Sequence, residues 1–237
     1  MNKKLLTSLS VLGAIAVLMV ACEKDFKNET PAPRPAAPVY SFVEEFDTVA
    51  NLTAKGWVIS NKSYPVGPVS WRQGMYELGG KLGSDVVGFP AYSARYTPND
   101  FVSVDMNATS GAGVTSAWLI GPMRPMKNGD RLIFYTRTHG DYIDRMQVRL
   151  NLINGDTYVG DGNPEHIGNF TTLLEDINAG MTLTGYPINW TRKSYTFTGI
   201  TGTVNGRFAF RYYVPNSGPS GSNADMIGID SVAFVSQ

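Results

Sequence analysis

From Tyr40 onward, apolar and polar residues alternate with a period of two in one segment after another. Arg131–Thr138 (RLIFYTRT), Met146–Leu152 (MQVRLNL), Lys193–Thr198 (KSYTFT) and Gly206–Val214 (GRFAFRYYV) carry this pattern of half-buried strands. Ser116–Ile120 and Ile227–Val235 read as further strands, and Phe42–Phe46 as a strand near the start. Turn chemistry separates them: Lys127-Asn128-Gly129-Asp130, Asn154-Gly155-Asp156, Asp161-Gly162-Asn163-Pro164 and Asn216-Ser217-Gly218-Pro219. Asn154-Gly155 suits a two-residue hairpin. One short helix is expected at Phe170–Asn178, capped by Asn169 and ended by Gly180. Short strands with Gly- and Pro-rich turns predict an all-β sandwich or barrel of antiparallel sheets. Residues 40–237 contain no linker-like break and no repeat of fixed period, which predicts a single domain.

The N-terminal pattern is different. Lys3 and Lys4 precede an almost purely apolar run, Leu5–Val20, about 16 residues long and short for a membrane span of roughly 20. A charged start, a short apolar stretch and a small residue before the cut describe a secretory signal peptide over residues 1–21. Met19-Val20-Ala21-Cys22 resembles the lipobox of bacterial lipoproteins, in which the cysteine becomes the first mature residue and carries the lipid; Met19 stands where Leu is usual. Acyl chains contributing ~0.8 kcal/mol per buried CH₂ would then anchor the chain at Cys22. Residues 22–39, with Pro31, Pro33, Pro35 and Pro38, form a Pro-rich tether, extended at ~3.1 Å per residue and able to reach roughly 50 Å. The charged residues directly after Cys22 resemble the surface-export signals of some Gram-negative lipoproteins. The expected location is the cell envelope, at the outer membrane.

Composition narrows the functional classes. The 237 residues are 43% hydrophobic, enough for a packed core. Lys plus Arg and Asp plus Glu are both 20, so there is no electrostatic footprint for nucleic acid. Losing Lys3 and Lys4 with the leader leaves 18 basic against 20 acidic residues, a net charge of −2. The only cysteine, Cys22, leaves no partner for an internal disulfide and no Cys-based zinc site.

An ordered set of motifs resembles the choice-of-anchor J domain family over roughly residues 42–235. It comprises Phe46-Asp47, Gly56-Trp57, Trp71-Arg72-Gln73-Gly74, Trp118-Leu119-Ile120-Gly121-Pro122, Asn128-Gly129-Asp130, Phe134–Thr138, Asp144–Leu150, Gly168–Thr171, Asp176-Ile177-Asn178, Tyr186–Thr191, Gly206–Tyr212 and Ile227–Asp230. That family is similar to the cleaved adhesin domains of gingipain proteases, which are jelly-roll β-sandwiches that hold calcium. The resemblance therefore implies a jelly-roll β-sandwich at the cell surface. The chain departs from the family pattern at Gly121, where Thr is usual, at Asp105 within Phe101–Asn107, and over Gly79–Asn99.

Glu45 and Asp47 share one face of the first strand, and Asp230 lies in the last. Jelly-roll modules often bring these two strands together, so the three acids form a candidate hard-oxygen site for structural calcium. They also read as edge charges and a turn cap. For ligand binding, loop aromatics beside planar polar groups suit a sugar ring. Tyr64, Trp71, Tyr92, Tyr96 and Trp190 belong to this wider set, and the preferred candidates are His139, Asp141, Tyr142, Tyr158, Asp161, Asn163 and Tyr186. Gly-x-Ser-x-Gly, P-loop and His-Glu-x-x-His motifs are absent from the sequence. The resulting expectation is a lipid-anchored, non-catalytic module that binds glycan. The alternatives are a protein-interaction or accessory role in a surface uptake or adhesin complex, with a surface protein as partner, and an unrecognised hydrolase.

Overall fold

A computed structural model describes residues 40–76 and 88–237, which fall within the compact unit Pro38–Gln237. The leader, Cys22 and the Pro-rich tether lie outside the described residues, as does most of the 79–99 segment up to residue 87.

The alternating segments become strands of two antiparallel sheets. In chain order these are β1 (Phe42–Glu44), β2 (Val58–Asn61), β3 (Tyr64–Val66), β4 (Arg72–Gln73), β5 (Val102–Asp105), β6 (Thr109–Ile120), β7 (Arg124–Met126), β8 (Arg131–Thr138), β9 (Met146–Asn151), β10 (Thr172–Ile177), β11 (Thr191–Thr196), β12 (Val204–Ser217) and β13 (Met226–Val235). One sheet has the order β11-β8-β13-β5-β4, with β1 also on β13. The other has the order β10-β9-β12-β6-β2, with β3 on β6 and β7 on β12. The chain crosses between sheets at β1–β2, β3–β4, β5–β6, β7–β8, β8–β9, β10–β11, β11–β12 and β12–β13, as a jelly-roll sandwich requires. The first and last strands are neighbours, with Phe42 opposite Phe234 and Glu44 opposite Val232.

Strand β8 shows why alternation predicts burial: Leu132, Phe134, Thr136 and Thr138 are buried, while the residues between them are half-buried. Its Phe134 meets Phe210 of β12 edge to face at 4.8 Å, joining the two sheets across the core. Gly121 belongs to this packing. A Cβ there would stand 2.4 Å from the Phe208 ring, so the Thr of the resembled family cannot fit against this aromatic.

Three local expectations are corrected. Residues 170–178 do not form a helix; Thr172–Ile177 is β10, paired antiparallel with β9 around a bulge between Leu173 and Glu175. Pairing with β9 overrides the local capping signals. Asn154-Gly155 is not a two-residue hairpin, because β9 ends at Asn151 and its next partner begins at Thr172. The Asn151 side chain instead donates to Asn154 Oδ1 at 3.0 Å and to the Asp156 carbonyl and Oδ1, both at 3.1 Å, knotting the chain where it leaves the sheet. Finally, β9 is buried on both faces rather than one. Segment 152–171 folds back over the outer face of its sheet, seating Phe170 against Trp118 at 5.6 Å. Phe89, Phe101 and Trp190 cover the other sheet in the same way.

Candidate functional site

The folded-back segment, held on the β9–β12–β6 sheet, builds the first of three side-chain clusters. Arg211 of β12 lies beneath it, buried, with its guanidinium 3.9 Å over the Tyr213 ring. It donates to Ser116 Oγ and Gln147 Oε1, each at 3.0 Å, and to the Pro164 carbonyl. Arg149 donates to the Phe170 carbonyl at 3.1 Å, and Tyr213 to Glu165. Burial lowers the Arg211 pKa to about 10. The segment is therefore clamped by charge-assisted hydrogen bonds rather than by regular structure.

Its outer side faces β2 and β3. Ser60, Lys62, Asp156, Thr157, Tyr158, Val159 and Gly160 line a hollow of about 370 Å³. Lys62 also lines the adjoining hollow of about 520 Å³, shared with Asn61, Tyr64, Val66 and Gly162. Tyr64 is 66% exposed and Tyr158 46%, so two aromatic faces stand free beside a cation and a carboxylate. Asp161 beside Tyr158 holds its phenol above the ordinary pKa. The neighbouring Asn163 caps its own turn, accepting from Glu165 N at 2.9 Å.

A second cluster sits where the β8–β9 loop meets the start of β13. His139 Nδ1 is 3.0 Å from Asp141 Oδ2 and 3.4 Å from Asp225 Oδ2. Below it Asp144 is fully buried and accepts from Thr138 Oγ1 of one sheet, Tyr212 OH of the other, and Asp225 N at 3.1 Å. Burial raises the Asp144 pKa. Burial, then the nearby Asp144, Asp141 and Asp105, push Asp225 up to about 7. Tyr142, on the same loop, is exposed but lines neither hollow.

The third cluster contains the acids expected to hold calcium. Ser231, with φ 49°, donates its hydroxyl to Glu45 and its N–H to Asp230 Oδ1 at 2.7 Å, while Ser93 N donates to Asp230 Oδ2 at 2.9 Å. Burial first, then Glu45, raise Asp230 to about 7. Asp47 pairs with Arg95 at 3.6 Å, and its Oδ1 is buried without a hydrogen-bond partner, as is Asn99 Oδ1. Gln73 Nε2 donates to both the Phe46 and Asn99 carbonyls, which sets the Asn99 backbone beside Phe46; β1 ends at Glu44 and Phe46 has φ 54°, so Glu45 and Asp47 follow the strand instead of sharing one of its faces. Among the described residues, the group of three His, Cys, Asp or Glu whose ligand atoms lie within 4.8 Å of one another is His139, Asp141 and Asp225, not these acids.

The sequence candidates therefore separate into different places. Tyr158 lines the groove and Asp161 lies beside it without lining either hollow, whereas His139 and Asp141 join Asp225, a residue the sequence did not single out. Tyr186 is corrected: it is buried in the core, its hydroxyl 2.7 Å from Thr136 Oγ1, and presents nothing to a ligand. Trp71 is buried too, donating to the Ala117 carbonyl at 3.1 Å, and Trp190 donates to the Pro90 carbonyl at 2.8 Å. Tyr92 stacks on Tyr135 at 3.6 Å, leaving one face free.

No family model and no curated protein sequence matches the chain. Among solved structures, the K3 cleaved adhesin domain of Lys-gingipain from Porphyromonas gingivalis is similar over 84% of this chain and 100% of that one, with 14% identity and a TM-score of 0.50. The K1 domain of the same protein is similar over 83% and 98%, at 16% identity and 0.47. A family 11 carbohydrate-binding module from Clostridium thermocellum, solved with a mixed-linked tetrasaccharide, is similar over 84% and 97%, at 11% identity and 0.35. The likeness to the K3 domain is one of fold: a two-sheet antiparallel sandwich.

Proposed function

We propose that this chain is a non-catalytic glycan-binding module, held on the cell envelope through a lipid on Cys22. The observation that carries the reading is the groove between β2–β3 and segment 156–162. Exposed Tyr64 and Tyr158 offer flat apolar faces to a sugar ring, and Lys62 offers a polar group to its hydroxyls, while Asp156 holds the segment through its own hydrogen bonds to Asn151, Asn154 and Asn169. Exposed aromatics are unfavourable in water unless something covers them. At the His139 cluster Asp144 is fully buried, Asp225 is 4% exposed and the Asp141 side chain is 68% exposed, and none of the three lines this groove. The motif resemblance to the choice-of-anchor J family and the lipobox-like Met19–Cys22 support an envelope adhesin. A protein ligand on the same surface is the competing reading.

Calcium at Glu45, Asp47 and Asp230 belongs to this proposal. All the donors these residues offer are oxygens, the type a hard cation takes, and Asp47 Oδ1 and Asn99 Oδ1 are buried without partners; the three acids do not form a group with ligand atoms within 4.8 Å of one another, so an ion would have to draw them together. When bound, the ion would pin the first and last strands beneath the rim. A polysaccharide array probed with the Cys22→Ala chain tests the glycan reading. Saturable binding to a glycan that is lost in Tyr64→Ala and Tyr158→Ala supports it; binding that survives both changes refutes the groove.

A further inference from the structure

We propose that His139, Asp141 and Asp225 form a binding site for a borderline divalent metal ion of the zinc class, separate from the glycan groove and from the all-oxygen calcium cluster. One imidazole nitrogen and two carboxylate oxygens converge here within 4.8 Å of one another. Donors bound at ~2.1 Å to a single ion stand about 3.0 Å apart at a right angle and about 3.4 Å apart at a tetrahedral angle. Nδ1 of His139 lies 3.0 Å from Asp141 and 3.4 Å from Asp225.

These contacts are not already satisfied as hydrogen bonds. His139 Nδ1 is a buried atom with no hydrogen-bond partner among the described residues. The Asp225 side chain is 6% exposed, and its carboxylate accepts no hydrogen bond among the described residues. The local donors go elsewhere: Thr138 Oγ1, Tyr212 OH and Asp225 N all serve Asp144. A buried carboxylate without a donor is costly, and a cation shared with the imidazole removes that cost. The nitrogen donor argues against calcium, which takes oxygen ligands, whereas imidazole with carboxylate suits zinc.

The backbone holds the donors in register. His139 N donates to the Met226 carbonyl at 3.3 Å and Met106 N to the Asp225 carbonyl at 2.9 Å, so the β8–β9 loop and the start of β13 are fixed side by side. Asp141 is 68% exposed on the open side and is the ligand free to adjust. An ion here would staple the β8–β9 loop to the β12–β13 connection where both sheets meet.

The test is calorimetric titration of zinc into the full chain carrying Cys22→Ala, which removes the only thiol, after treatment with chelator. One equivalent should bind at micromolar free zinc. His139→Ala and Asp141→Asn, both at partly exposed loop positions, should each weaken it roughly 10-fold or more. The calcium-induced rise in melting temperature should persist in both variants, which separates this site from the Glu45–Asp230 cluster. Absence of saturable one-equivalent binding, or binding unchanged by both substitutions, would overturn the assignment.

Discussion

Replacing Arg211 with Met should loosen segment 156–170 and carry Tyr158 with it. Met keeps an apolar stem but removes the guanidinium, which lies over the Trp118 and Tyr213 rings. Three hydrogen bonds are lost, to Ser116, Gln147 and Pro164. Bonds from a charged donor contribute roughly 1.5–3 kcal/mol each, so the loss is about 5–9 kcal/mol. Against this, Arg211 is held at about 10 rather than 12.5 by burial, a desolvation cost of roughly 3 kcal/mol that Met does not bear. The lost bonds win, leaving a destabilisation of about 2–6 kcal/mol. For a domain of this size that is a fall in melting temperature of at least about 4 °C. Calorimetry reads the melting temperature, and hydrogen exchange reads the segment, whose amides should lose protection before those of β9 and β12. An unchanged or raised melting temperature, with exchange across 156–170 as in the parent, would refute the idea that Arg211 is the clamp and would make desolvation the larger effect.

Tyr64→Ala and Tyr158→Ala should each weaken binding of a glycan hit by about tenfold, or ~1.4 kcal/mol, without moving the melting temperature by more than a degree or two; affinity electrophoresis and thermal melting check the two halves. Chelation at neutral pH should lower the melting temperature, since a ligand at about a hundred times its Kd stabilises by about 2.7 kcal/mol. In chelated protein the Asp230 carboxyl, raised from 3.8 to about 7, binds its proton more tightly folded than unfolded. Read as the difference in melting temperature between the parent and Asp230→Asn, this carboxyl's contribution should therefore be full below pH 4, fall as pH rises towards 7 and level off above it; a difference that grows over this window contradicts the burial argument. Cys22→Ala should move the protein from the membrane fraction to the soluble one, read by fractionation.

Strand existence was legible because each strand buries one face against the same core, and a period of two records that directly. Leu132, Phe134, Phe208 and Phe210 announce themselves in this way. The polar face of β9 was misleading: Gln147, Arg149 and Asn151 read as solvated, yet all three are buried under a segment whose return path is encoded by isolated partners such as Arg211 with Pro164. The helix expected at 170–178 failed for a related reason, since its caps were local while its strand partner lay in β9.

By itself the sequence indicated most of the longer strands and the all-β class, because these depend on periodicity and on neighbours a few residues apart. Tertiary structure alone decided which loop residues share a surface. It separated Tyr158 from His139, sank Tyr186 into the core, and set Asp225 against His139 across 86 positions of chain. Such pairings arise when two sheets stack and their connections meet at a common rim, and no spacing along the chain records that meeting.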